Sequence, residues 1–316
     1  MDIHIHSWDD VNSDKIAEFS NQARQRDSLI IEPPTIDSFC NAIEWWKNRT
    51  RSVPIIAYSN DQIVGWLVFF SITSTTATIG RWHPVADPGQ RQTEISEQLL
   101  QTAIAYAKEQ NFERFEAEIT GITPQNEAVY EVYKKWYEAQ GMHLATEELR
   151  LELDLTQQAS TELNFPPQFQ LRPLADYSNE DLEGPFCEMF DDSKDRFWLD
   201  QTMKQRREIF QYWFDRERPF IEESTAVLVK DKEIVGFTIV RLIQDAGMLG
   251  PIAVSSRYRR QGLGRALMAF SLRGALQCGL TKMQLEFDII NEPAYQLYTK
   301  LGFSPVHRLV LFALRL

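Results

Sequence analysis

One order of elements is written into this chain twice, and the duplication limits the possible folds more than any other feature. In the first half, alternation at Ile3 and Ile5 predicts a short strand, and apolar spacing predicts helices over residues 11–26 and 36–48. β-Rich runs follow at 54–58, 62–70 and 75–82. A helix over 94–108, apolar at 95, 99, 100, 103, 104 and 107, leads to a strand at 112–119, a helix at 126–140 and a strand at 147–155. The order then restarts: a strand at 169–172, helices at 179–190 and 203–214, and a hairpin of 224–230 and 234–242 turning at Asp231 and Lys232. A strand at 250–254, a helix running to about Gly279, a strand at 282–289, a short helix opened by Asn291 and closed by Gly302, and a strand at 306–316 complete the second copy. Repetition of a whole domain differs from the short period of a solenoid. The polar, proline-ended segment 157–167 sets the boundary between domains at 1–156 and 166–316.

A length of 316 residues suits two domains of about 150. With 43% hydrophobic and 12% aromatic residues, each half can bury a core. The formal net charge of −12, from 45 acidic and 33 basic residues, argues against nucleic acid or an anionic membrane as partner, since both select a positive field. The three cysteines, Cys40, Cys187 and Cys278, lie far apart with no metal-ligand spacing, so no metal site and no disulfide framework is expected, and a cytoplasmic setting fits. The N-terminus lacks a signal-peptide pattern, and the longest apolar stretch, 63–72, is too short to cross a bilayer.

Against this acidic background, residues 257–265 read RYRRQGLGR, between the apolar strand at 250–254 and a helix start. Amides at a helix N-terminus have no intrahelical acceptor, and the helix dipole adds positive charge there. Gly262 and Gly264 remove side chains where a phosphate would approach the backbone and permit positive φ. With Arg257, Arg259, Arg260 and Arg265 around that point, the stretch has the physics of a diphosphate cradle.

Two segments of the second half carry a family resemblance. Arg259, Arg260, Gln261, Gly262, Leu263 and Gly264 match the Q/R-x-x-G-x-G/A loop of the GNAT N-acetyltransferases, and NEPAYQLYTKLGF at 291–303 resembles that family's Asn, Tyr, Leu-Gly-Phe ending. The resemblance implies an α/β (α+β) architecture of two tandem GNAT folds, each a mixed, mostly antiparallel central sheet flanked by helices. The first half looks like a degenerate copy: RQTEIS at 91–96 lines up with RQGLGR at 260–265, although Gln90 keeps the Q/R position, and Tyr137 falls opposite Tyr298. Thr93 and Ile95, standing where glycines stand in the second copy, obstruct both positive φ and phosphate approach, so acetyl-CoA binding is expected in the second domain alone. Two such domains, the stronger motif in the second, resemble the tandem arrangement of mycothiol synthase.

The resemblance further implies acetyl-CoA as co-substrate and acetyl transfer to an amine by direct attack on the thioester. Backbone groups of Ile252, Ala253 and Val254 would hold the thioester and pantetheine, Arg259 to Arg265 the diphosphate, and Asn291 the pantetheine amides or its own helix N-terminus. Tyr298 stands where the family often has a tyrosine that protonates the CoA sulfur; packing against Leu301 and Phe303 is the plainer reading. Glu286 and Asp288, alternating with Leu285, Phe287 and Ile289, are the candidate general bases, with Asp245 a third and an exposed acidic pair the bland alternative. Acidic residues among aromatics at 180–198 suit a cationic acceptor, a small-molecule or peptide amine, while a solvated acidic helix face over a core is the more common origin of such a pattern. The protein is expected as a monomer or homodimer. A catalytically silent CoA-binding sensor is the competing reading, and a dinucleotide-binding oxidoreductase ranks below both because the G-x-G-x-x-G order is missing.

Overall fold

The computed structural model describes residues 1–26, 40–41, 43–44, 46–47, 51–71, 73–80, 83–89, 91–157, 165–243 and 245–316. Most of the helix expected at 36–48 and of the linker expected at 157–167 lies outside the described residues, as do Trp82 and Gln90. The chain forms two compact units, Met1–Glu147 with Arg308–Leu316, and Glu148–His307.

In the first unit, β1 (Asp2–Ile5) precedes α1 (Ser13–Arg26), β2 (Arg51–Ser59), β3 (Gln62–Ser71), β4 (Thr76–Thr78) and β5 (Val85–Ala86). Then come α2 (Gln92–Glu109), β6 (Arg114–Ile122), α3 (Glu127–Ala139) and the opening residues of β7 (His143–Asp154). Strands run β1-β2-β3-β4-β6, with β5 on β3; the β4–β6 pair is parallel and the other pairs antiparallel. Asn60 and Asp61, at φ 50° and 61°, make the β2–β3 turn, the left-handed pair that suits the twist of a tight hairpin.

The second unit repeats the plan. β8 (Gln170–Pro173), α4 (Asn179–Asp191), the short α5 (Arg196–Leu199) and α6 (Met203–Trp213) precede β9 (Ala226–Lys230), β10 (Glu233–Ile243) and β11 (Ala246–Val254). α7 (Leu263–Gln277), β12 (Lys282–Asp288) and α8 (Glu292–Lys300) follow. Its sheet runs from residues 148–154 of β7 through β12-β11-β10-β9-β8, with β11 and β12 parallel. Reciprocal capping boxes start two helices. Ser178 Oγ accepts from Asp181 N at 3.2 Å and Asp181 returns a bond to Ser178 N at 2.8 Å, while Thr202 and Gln205 do the same for α6. Phe186, Phe190, Trp198, Phe210, Phe214 and Phe237 pack as one buried aromatic cluster between α4–α6 and the sheet.

The domain limits differ from the expected 1–156 and 166–316. The last strand, β13 (Ser304–Arg315), enters the first unit from Arg308 and pairs antiparallel with β6, while residues 148–154 pair with β12 in the second unit. Each unit is completed by a strand from the other half of the sequence. Hydrophobic alternation identifies a strand but does not name its partner.

Candidate active site

β11 delivers the chain through a turn at Ser256–Tyr258 into α7. Gly262 caps α7 at φ 81° with no side-chain bond, and Arg260 also has positive φ, 65°. The first helical bond runs from Ala266 N to Gly262 O at 3.0 Å, so the amides of Leu263, Gly264 and Arg265 point out of the helix start without an intrahelical acceptor. A Cβ on Gly262 would meet nothing within 4 Å, so positive φ demands the glycine and the space before it is open. Gly264 is helical, and its Cβ would touch Leu297 at an ordinary 3.7 Å. Leu263 offers only its amide, its side chain being buried with Leu267. Gln261 is exposed.

The arginines divide. Arg259 donates to Val254 O at 2.9 Å, Asp192 O at 3.1 Å and Met189 O at 3.2 Å, fastening the C-terminal end of α4 to β11. Its guanidinium is committed to these carbonyls, which departs from the diphosphate contact expected of it. Arg257 pairs with Glu233. Arg260 and Arg265 are exposed and have no ion pair among the described residues, which leaves them as the cradle's open cations.

Beyond the cradle the two central strands part. β11 and β12 pair only at Gly247↔Met283, Met248↔Gln284 and Leu249↔Leu285, although β11 continues to Val254 and β12 to Asp288. Ile252, Ala253 and Val254 pair with β10 on one side and have no ladder partner on the other. Unpaired strand backbone seeks hydrogen bonds, and the opening presents it beside the amides of the cradle.

Tyr298 closes the inner end. It lies in the apolar cluster that includes Ile252 and Phe287, its ring edge-on to Phe287 at 5.6 Å and tilted to Phe303 at 6.1 Å. Burial pushes its phenol up to about 12, and its hydroxyl makes no hydrogen bond among the described residues. It packs as the plainer reading expects and also keeps a proton to donate. Asn291 caps α8, its side chain accepting from Ala294 N at 3.4 Å.

The candidate bases are otherwise employed. Glu286 is ion-paired with Arg150 across the β7–β12 register. Asp288 is buried, taking Arg196 Nε and Nη2 at 2.7 Å each, Arg196 N at 3.1 Å and Ile290 N at 3.1 Å. Both carboxylates that the sequence offers as candidate bases are thus held by arginines, rather than forming the exposed pair of the bland alternative. Asp245 is exposed at the far end of β11, about 25–30 Å of extended strand from the cradle. Sequence reasoning singled out none of the acidic residues around α5 as a base, yet Asp195 there is the one whose carboxyl is raised by burial, against the pull of the Trp198 N–H. Its signal in the sequence, an Asp before a short helix, is that of any N-cap.

In the first unit β5, whose Val85 stands opposite Val254, likewise pairs with β3 on one side and has no ladder partner on the other among the described residues. β4 and β6 pair at Thr76↔Arg114, Ala77↔Phe115 and Thr78↔Glu116, and backbone bonds continue from Ile79 N to Glu116 O at 3.2 Å and Glu118 N to Gly80 O at 2.8 Å. At the start of α2, Arg91 turns onto Glu94 at 2.9 and 2.8 Å, placing a carboxylate in the first turn. Tyr137, opposite Tyr298, is buried and bonded to His83 Nδ1 at 2.6 Å.

The duplicated fold, with a glycine-bearing turn that opens a helix after a strand, is matched to a family by comparison with known proteins. The profile of the Acetyltransferase (GNAT) family matches residues 17–137 and 185–303, and the chain belongs to that family. A tandem GNAT protein from the clavulanic acid biosynthesis pathway is similar over 99% of this chain and 98% of its own, with TM-score 0.64 and 16% identity. A GCN5-related N-acetyltransferase from Sphaerobacter thermophilus gives TM-score 0.67 at 15% identity, over 99% and 95% of the two chains. In sequence, the chain is 35% identical over 77 residues to the [ribosomal protein bS18]-alanine N-acetyltransferase of Escherichia coli (strain K12), covering 24% of this chain and 52% of that protein. It is 31% identical over 126 residues to an N-alpha-acetyltransferase of Sulfurisphaera tokodaii, covering 34% of this chain and 75% of the relative. The chain thus spans about half the length of the bacterial relatives it matches. Among the described residues no group of His, Cys, Asp or Glu could hold a metal ion, and no helix is long and apolar enough to cross a membrane.

Proposed function

We infer that the protein is an acetyl-CoA-dependent N-acetyltransferase whose active site lies in the second unit. The observation that carries this reading is the parting of β11 from β12 after Leu249 and Leu285, directly ahead of a helix start with open amides and two open arginines. An anionic diphosphate suits the amides of Leu263 to Arg265 with Arg260 and Arg265, and the unpaired backbone of 250–254 suits the pantetheine amides and thioester carbonyl. Arg259 holds α4 against β11 and so sets the shape of the cradle. Asn291 orients α8, and α8 places Tyr298.

Acetyl-CoA supplies an activated acetyl group on a sulfur leaving group. Tyr298 gives its proton to that sulfur as the C–N bond forms and the C–S bond breaks, and it regains the proton that the amine nitrogen sheds on becoming an amide. The acceptor enters as an ammonium ion, whose first proton goes to a carboxylate other than Glu286 or Asp288, since those two are held by Arg150 and Arg196. The named relatives act on protein or peptide amines, which supports an amine of that kind as acceptor.

The engagement of Glu286 and Asp288 is also what favours the second reading, a CoA-binding sensor without turnover. Release of CoA thiol, followed with a panel of primary amines, separates the two. Thiol release dependent on the amine supports the enzyme; calorimetric binding of acetyl-CoA with no release on any amine leaves the sensor.

A further inference from the structure

At the end of β12 one buried carboxylate serves two elements. Asp288 is 5% exposed, and Arg196 meets it with a fork, Nε to Oδ2 and Nη2 to Oδ1 at 2.7 Å each. Arg196 N also donates to Oδ2, at 3.1 Å, so the start of α5 is docked on Asp288 by backbone and side chain together. On the other side, Ile290 N donates to Oδ1 at 3.1 Å. That amide lies in the turn that opens α8, and Asn291 N closes the turn with a 2.9 Å bond to Asp288 O. One charged pair therefore joins α5 to the entry of α8.

α5 is itself fixed in place. Trp198 belongs to the buried aromatic cluster, and Arg206 donates to Trp198 O at 3.1 Å and Leu199 O at 3.2 Å. α8 has only nine residues, and two of its rings rest on Phe287, the neighbour of Asp288: Tyr295 stacked at 5.8 Å and Tyr298 edge-on at 5.6 Å. Apolar burial of this kind is non-directional, whereas a forked ion pair fixes both distance and plane. Without its cation Asp288 would be a buried, uncompensated charge, and the turn would have to open to solvate it.

Given acetyl transfer with Tyr298 as the acid, on which this rests, we propose that Arg196 is a positioning residue for the reaction. Its fork on Asp288 fixes the turn into α8, and α8 then holds the Tyr298 hydroxyl where the CoA sulfur departs. Arg196 acts through Asp288 and the helix and takes no part in the proton transfer.

A double-mutant cycle on the full chain tests this, with CoA-thiol release followed at saturating acetyl-CoA and a panel of dipeptide amides with free α-amines as acceptors. Arg196→Ala should lower kcat about tenfold with the acetyl-CoA Kd unchanged, since a small displacement of a catalytic group is worth at least that much and the cradle is held by other residues. In a Tyr298→Phe background the same substitution should change kcat by less than about twofold, because the group it positions is gone. Arg196→Lys keeps the charge without the fork, so it stands in should Arg196→Ala not fold, and it should show the same loss and the same non-additivity at smaller amplitude. Hydrogen exchange should report lower protection of the α8 amides in both arginine variants. An unaltered kcat, additive losses in the two backgrounds, or wild-type protection of α8 overturns the positioning role and leaves the acetyltransferase reading standing. Thiol release that no amine of the panel stimulates overturns that reading, and the positioning role with it.

Discussion

At the scale of single residues, Tyr298 is set apart from Tyr137 by one hydrogen bond. Both tyrosines are buried, but His83 occupies the Tyr137 hydroxyl while the Tyr298 hydroxyl is left for a ligand. Tyr298→Phe should lower kcat by about 10²-fold, the usual scale for a positioned acid, with the acetyl-CoA Kd unchanged by calorimetry. The shift also carries a stability signature. With the phenol raised from 10 to about 12 in the folded chain, the unfolded state ionises first, so stability is complete below pH 10 and falls as pH rises towards 12. Chemical denaturation should show a steeper alkaline decline between pH 10 and 12 for the wild type than for Tyr298→Phe; parallel curves would remove the shift. The arginines offer a second contrast. Arg259→Ala breaks three bonds to carbonyls and should lower stability by about 1 kcal/mol, whereas Arg260→Ala and Arg265→Ala should weaken acetyl-CoA binding with no change in thermal midpoint. The motif alone could not make this division, because all four arginines read alike until the positions of carbonyls and carboxylates are known.

Among the elements, α7 shows what the sequence makes legible and what it hides. Its start is legible because a basic, glycine-bearing turn between an apolar strand and an apolar-periodic run fits little besides a helix N-terminus, and the helix forms from Leu263 to Gln277. Its packing is hidden. A Cβ on Gly274 would lie 1.9 Å from the Glu223 carbonyl oxygen, where the helix crosses the turn at Glu222–Ser224. Beside it, Ser224 Oγ donates to Ser271 O at 2.9 Å, Ser271 Oγ to Ser224 O at 2.8 Å, and Thr238 shares a 2.7 Å bond with Ser271. A glycine inside a helical pattern reads only as a weak helix former, and the approach that requires it is a tertiary fact. Gly274→Ala should therefore destabilise by about 1–3 kcal/mol, as the backbone clash outweighs the gain in helix propensity; a higher midpoint in urea would overturn that reading. The general base is illegible for the same reason. Alternation puts Glu286 and Asp288 on one strand, but their arginines come from residues 150 and 196, remote in sequence.

For the whole molecule, both duplication and exchange matter. The first unit holds residues 308–315 against β6, where Val310 and Phe312 are buried and Phe312 packs 5.3 Å from Tyr137. Removing Arg308–Leu316 should loosen amide protection in β6 and α3 far more than in α7 or β12, as hydrogen exchange would report. The two units also make separate demands on acetyl-CoA. In the second, Gly262 leaves open space at the helix start, and Arg260 and Arg265 face solvent. In the first, backbone bonds between β4 and β6 continue to Gly80 and Glu118, Glu94 places a negative charge where a diphosphate would rest, and the Tyr137 hydroxyl is taken. An anion at the start of α2 would sit beside the Glu94 carboxylate, which opposes its binding there. Calorimetric titration should accordingly give one acetyl-CoA per chain, and Gly262→Val should abolish that single event without exposing a second. A stoichiometry of two, or residual binding of normal affinity in the Gly262→Val chain, would place a working cradle in the first unit.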